Sequence, residues 1–213
     1  MTFSNLFFDL DATLYPASSG LWNAIKRRIQ NYLVEVMGFS EKESKELRQA
    51  YYQNYGTTLE GLRRHHDINP VDYLAYVHDI PIEDFIEVTP QLNEILSTLP
   101  QTKWVFTNAD RDHARRVLNH LQVHDLFAGI VDVYALDYQV KPQPEAYHQA
   151  LQLANAPTSA SCVLFDDLPQ NIPPANEIGF FTVLVNENEA NNSADLHINS
   201  VLELPQRMPQ LWP

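Results

Sequence analysis

Four places in this 213-residue chain carry residue types that could do chemistry together. Asp9 and Asp11 close an apolar run in "FFDLDATLYP", Thr107 and Asn108 follow "WVF", Lys141 precedes a proline, and Asp166 and Asp167 follow "CVLF". Carboxylates at the end of an apolar stretch are costly to desolvate, and like charges beside one another add to the cost. A hard divalent cation bound by Asp9, Asp11, Asp166 and Asp167 would relieve the repulsion, and an all-oxygen donor set suits Mg²⁺. The ion would also offer a phosphate a positive seat, together with the Lys141 ammonium, the Thr107 hydroxyl and backbone amides at a helix start.

Such a site needs strands that end at one edge. Short runs rich in Val, Ile, Leu and Phe at 6–8, 104–107, 130–134, 163–165 and 182–185 read as fully buried strands. "DRDHARRVLNHL" and "PEAYHQALQLA" carry apolar residues at helical spacing, so strand, helix, strand units and a parallel sheet follow. The fold class is α/β, a Rossmann-like parallel sheet with helices on both faces. In such sheets ligands bind at the carboxyl ends of the strands, where these polar residues fall. After Asp195 an edge strand and a short last helix are expected.

The connection after the first strand is far longer than the usual handful of residues. Within it Leu21, Trp22, Ile25, Ile29, Tyr32, Leu33 and Val36 share a helical face behind Ser18 and Ser19, which read as its caps. "SEKE" at 40–43 has capping-box spacing, and Asn69-Pro70 and Thr89-Pro90 each pair a cap residue with a first-turn proline. Residues 16–85 are therefore expected to form an all-helical cap, inserted into a core of 1–15 plus 86–213.

A formal net charge of −13 argues against nucleic-acid polymers and anionic membrane surfaces as partners, because the mean field repels both. No stretch approaches the roughly 18 apolar residues of a membrane span, and the first residues lack signal-peptide character, so a cytoplasmic location is the default expectation. Cys162 is the only cysteine and sits in an apolar run, which reads as a buried structural thiol.

"DLDAT", "FTN", "KP" and "FDD", in that order, resemble the four motifs of the haloacid dehalogenase-like superfamily, whose members are mostly Mg²⁺-dependent phosphatases. The resemblance runs from Phe7 to Gly179. The long helical insert is similar to that superfamily's type-one cap. "LYPASSGL", "YYQNYGTTLEGL" and "FTNADRDHARRVL" are similar to its pyrimidine 5'-nucleotidase-like branch. The resemblance implies Asp9 as nucleophile and Asp11 as general acid, then base. It implies Thr107, with Asn108, as a phosphate binder, and Lys141 as the cation that neutralises the phosphoryl charge and steadies Asp9. Asp166 and Asp167 would complete the Mg²⁺ site. The implied substrate is a small phosphorylated metabolite such as a nucleoside monophosphate, with phosphoester hydrolysis favoured over dehalogenation by the aspartate at position 11.

Other readings stand beside this one. A sugar-phosphate phosphatase or a phosphomutase could share the same core residues. From another class come a phospho-accepting receiver, which orders its acids differently, and a silent binding protein, which has no use for a second acid. Asn108 could cap the following helix, touch ligand, or both. "LRRHH" at 62–66 could hold a phosphate or be a solvated face, and its adjacent histidines point about 100° apart on a helix, poorly placed for zinc. Tyr51, Tyr52 and Tyr55 read as cap core, with stacking on a pyrimidine as the alternative. Pro173 and Pro174 are expected to delay the start of their helix.

Overall fold

The computed structural model describes residues 3–156, 158–186 and 193–212. Six strands, β1 (Asn5–Phe8), β2 (Thr102–Phe106), β3 (Gly129–Val131), β4 (Cys162–Asp166), β5 (Phe181–Val185) and β6 (Leu196–Ile198), form one sheet in the order β3-β2-β1-β4-β5-β6. Every neighbouring pair is parallel. The central strands β1 and β4 are buried along their whole length, which is why they read as continuous apolar runs rather than alternating ones. Register sets the edge: Phe8 lies opposite Val105 on one side and Phe165 on the other. One residue further along, Asp9 is therefore level with Phe106 and Asp166, and its N–H donates to Phe165 O at 2.8 Å.

Side chains alternate across this sheet. Phe7, Phe106 and Leu164 pack with Tyr147 of α7 (Pro144–Leu153) and Ala175 of α8 (Ile172–Ile178). On the opposite face Phe8 stacks on Phe165 with centroids 4.4 Å apart. Two more helices, α5 (Pro90–Thr98) and α6 (Arg111–His120), complete the layers with buried Leu92, Leu96, Val117 and Leu118, and α9 (Leu204–Arg207) follows β6. Two details differ from the sequence expectation. Strand β3 stops at Val131, because the buried Asp132 carboxylate accepts from the N–H groups of Arg111 and Ala135 and turns the chain. Gly129 on that strand lies opposite Trp104, whose ring would be 2.4 Å from a Cβ there. Helix α8 begins at Ile172, ahead of both prolines, since a first turn has no need of their missing N–H groups.

The chain divides into two compact units, Met1–Ser19 with Ile86–Pro213, and Gly20–Phe85. Residues 16–19, placed in the insert by the sequence, group with the α/β unit. The second unit contains α1 (Leu21–Asn31), continued by a π-helical turn at Tyr32–Val36, then α2 (Glu41–Tyr55), α3 (Thr58–His65) and α4 (Pro70–Val77). The N-cap position of α1 falls on neither Ser18 nor Ser19. They lie in a short 3₁₀ turn, and the cap position is Gly20 at φ 85°, a left-handed conformation that glycine adopts without a Cβ clash. Trp22 and Val36, assigned to the buried face, are 39% and 56% exposed. The capping box of Ser40 and Glu43 is present, and Asn69 caps α4, whereas Thr89 makes no side-chain cap to α5.

Candidate active site

The Lys141 ammonium, 1% exposed, lies at the carboxyl edge of β1, β2 and β4. It donates to Asp9 Oδ1 at 2.8 Å, Asp166 Oδ2 at 2.6 Å and Phe106 O at 2.7 Å. Three protons thus meet three acceptors, one from the end of each strand. Burial alone would depress the lysine, and the neighbouring Asp166 and Asp9 carboxylates more than reverse that, so it stays charged with a pKa above the ordinary lysine value. Asp166 is spent on this anchor, because its Oδ1 also accepts from Leu168 N at 3.0 Å and Asn171 Nδ2 at 2.8 Å. Asn171 is held in turn by Tyr147, whose hydroxyl donates to its carbonyl.

Asp9 follows β1 and is nearly buried. Desolvation pushes its carboxyl up to about 7, with Lys141 opposing and Asp166 and Asp11 reinforcing the rise. Ala12, at φ 63°, takes the left-handed conformation in the turn that follows, a backbone state that L-residues occupy at a cost of about 1 kcal/mol. This turn brings Asp11 back to the α/β unit, where its Oδ1 accepts from the Tyr15 hydroxyl at 2.6 Å and lies 2.9 Å from His113 Nε2. Burial and the Asp11 charge hold the Tyr15 phenol well above its ordinary range, so it remains a donor. Asp167 is half-buried, and its carboxyl is pushed up to about 9 by desolvation, then by Asp9 and Asp166.

The structure brings Thr107 to the same edge, 2% exposed, with its hydroxyl accepting from Ala109 N at 3.1 Å. Asn108 neither caps α6 nor presents its amide outward. Its Oδ1 accepts from Lys141 N and its Nδ2 donates to Lys141 O, both at 2.9 Å, so it fastens the lysine's backbone. The cap of α6 is Asp110, which accepts from Asp112 N and His113 N. Tyr15, His113 and Asn171 were missed by the sequence reading. His113 left a signal: it falls with Ala114, Val117 and Leu118 on the buried side of α6, where an imidazole needs a polar partner.

In the other unit, Arg63 and Arg64 both pair with Glu60, at 2.8 and 2.6 Å, and Tyr51 and Tyr55 meet His66 and His65 through their hydroxyls. Tyr51 is buried and Tyr52 is 41% exposed, so only the first behaves as core. Cys162 is buried, with burial pushing its thiol up to about 11.

Among the described residues, no group of three or more His, Cys, Asp or Glu side chains is gathered to hold a metal. The commitments above explain this: Asp166 is taken by Lys141, Leu168 and Asn171, and one oxygen of Asp11 by Tyr15 and His113. The donor chemistry still fits Mg²⁺, an ion that keeps much of its water and takes only one or two carboxylates. Asp9 and Asp167 are the acids whose carboxyls burial raises, to about 7 and about 9, against the opposing charge of Lys141.

Residues 3–179 match the family of haloacid dehalogenase-like hydrolases, and the chain belongs to that family of enzymes. It is 29% identical over 192 residues to Phosphate metabolism protein 8 of Saccharomyces cerevisiae, covering 84% of this chain and 60% of that protein, so it spans less than two thirds of that relative's length. The fold is similar to a HAD phosphatase from Thermococcus onnurineus (TM-score 0.66, 17% identity, 95% of this chain and 96% of that one). It is also similar to L-2-haloacid dehalogenase from Xanthobacter autotrophicus (TM-score 0.59, 15% identity, 96% and 98%). Phosphatase and dehalogenase share this fold, so the choice between them rests on side chains. Membership in a hydrolase family sets aside the phospho-accepting receiver. Among the described residues no helix is long and apolar enough to cross a membrane.

Proposed function

We propose that this chain hydrolyses a small phosphomonoester through a phosphoryl group carried on Asp9. The observation that carries the reading is the Asp9–Lys141–Asp166 array with a second acid, Asp11, held separately two residues along. A carboxylate attacks a phosphate poorly while both are negative. Lys141 lowers that repulsion, and Thr107 offers a hydroxyl to a phosphoryl oxygen. Asp9 and Asp167 would hold Mg²⁺, which when bound supplies positive charge to the phosphoryl oxygens. Asp9 oxygen bonds to phosphorus as the ester P–O bond breaks, and Asp11 gives its proton to the departing alkoxide. Asp11 then takes a proton from the water that attacks phosphorus, and the Asp9 carboxylate is restored. Dehalogenation has no alkoxide to protonate, so Asp11 favours the phosphatase. The sequence segments similar to the pyrimidine nucleotidase-like branch favour a nucleoside monophosphate as the ester.

A panel of UMP, CMP, AMP and sugar phosphates, assayed for phosphate release with Mg²⁺ and with EDTA, tests this. We expect release from at least one ester, loss of it in EDTA, and none from Asp9→Asn. Wild-type turnover by Asp9→Asn would remove the nucleophile, and isomerisation without phosphate release would make the protein a mutase.

A further inference from the structure

We propose that Tyr15 and His113 are positioning residues that clamp Asp11 at Oδ1 and so set the plane in which Oδ2 is presented to the leaving group. This rests on the reading of Asp11 as the proton donor. The Tyr15 hydroxyl and His113 Nε2 meet the same atom, Asp11 Oδ1, at 2.6 and 2.9 Å, one from four residues away and one from 102 away. A carboxylate with a single anchor rotates about its side-chain torsions, whereas two donors on one oxygen fix the plane of the group. An oxygen that already accepts two hydrogen bonds is the poorer proton carrier, so the transferable proton is placed on Oδ2. The clamp is itself held firmly. Tyr15 is buried at 4% exposure in the turn after β1, and the His113 side chain is 1% exposed in the first turn of α6. The Asp110 cap receives the His113 N–H at 2.9 Å, which locks the backbone that carries the ring. An ordinary core histidine would need one acceptor anywhere, while here imidazole and phenol converge on the one side chain whose orientation decides proton transfer.

The test compares two esters. An alkyl phosphate leaves as a strongly basic alkoxide and needs the proton, while p-nitrophenyl phosphate leaves as a weak base and does not. Because kcat/KM reports every step through P–O cleavage, it isolates the clamp from the later attack of water. For Tyr15→Phe and His113→Ala we expect kcat/KM on the alkyl ester to fall at least about tenfold further than on p-nitrophenyl phosphate. His113→Gln, which keeps an N–H donor, should recover part of the loss. Equal losses on the two esters would reduce both residues to packing and overturn the proposal. Tyr15→Phe removes only one oxygen, so it serves should His113→Ala fail to fold. Wild-type protein that releases no phosphate from either ester would instead overturn the phosphatase reading, and the clamp with it.

Discussion

The buried Lys141 ammonium has three protons and three acceptors, and the two carboxylates it joins leave water only because of it. The pairing is asymmetric. Asp166 satisfies its second oxygen with Leu168 N and Asn171, so it fixes the lysine, whereas Asp9 keeps a carboxyl whose pKa is raised to about 7 and remains available to react. Removing one member of a buried charge pair leaves the other uncompensated in a low-dielectric site, typically at about 3–5 kcal/mol. Lys141→Met, which matches the stem but lacks the charge, should therefore lower unfolding free energy by about that amount as well as abolish turnover. Urea denaturation measures it, and an unchanged midpoint would mean that Asp9 and Asp166 do not depend on the lysine for their burial. Asn108 belongs to the same construction, since its amide closes two hydrogen bonds on the Lys141 backbone.

At the scale of elements, the strands bring the chemistry together and the glycines set how closely their neighbours approach. Helices α2 and α3 meet at Gly61, where a Cβ would lie 2.1 Å from Tyr51 Cγ and 2.4 Å from its Cβ. Those atoms are near the backbone and cannot swing aside, so Gly61→Ala must push the helices apart, at about 1–3 kcal/mol for overpacking. A urea midpoint equal to wild type would show that the contact relaxes freely. The sequence revealed no such contact, because a glycine within a helix looks the same whether or not an aromatic ring covers it. Strand ends were legible: a parallel sheet buries both faces, so β1 and β4 are unbroken apolar runs that stop where Asp9 and Asp166 start. The capping box at Ser40 was legible for a similar reason, its chemistry being local. At Ser18 and Ser19 the cap position lies further along than the side chains suggest, because the glycine that follows takes the left-handed backbone there. Tyr15 and His113 were not legible as a pair, since one carboxylate oxygen joins residues from β1's turn and from α6 that only the folded sheet brings together.

Taken whole, the molecule carries a formal net charge of −13 and pairs two of its acids, Asp9 and Asp166, with one buried ammonium. Asp9 and Asp167 titrate near 7 and 9 in the fold, against about 4 for carboxyl groups in an unfolded chain. The folded state therefore binds more protons than the unfolded one between those limits. Stability linked to the two groups is complete below about pH 4 and drains away as pH rises through 7 and then 9. A divalent cation requires the ionised carboxylates, so its stabilisation should grow over the same interval. We expect the melting temperature of EDTA-treated protein to fall between pH 5.5 and 8.5, and Mg²⁺ to raise it more at pH 8.5 than at pH 5.5. General self-repulsion of an acidic protein would also lower stability with pH, but it would persist in Asp167→Asn. That variant should lose most of the pH dependence and most of the Mg²⁺ shift together. If it keeps both, the cation is held elsewhere and Asp167 is only a buried acid.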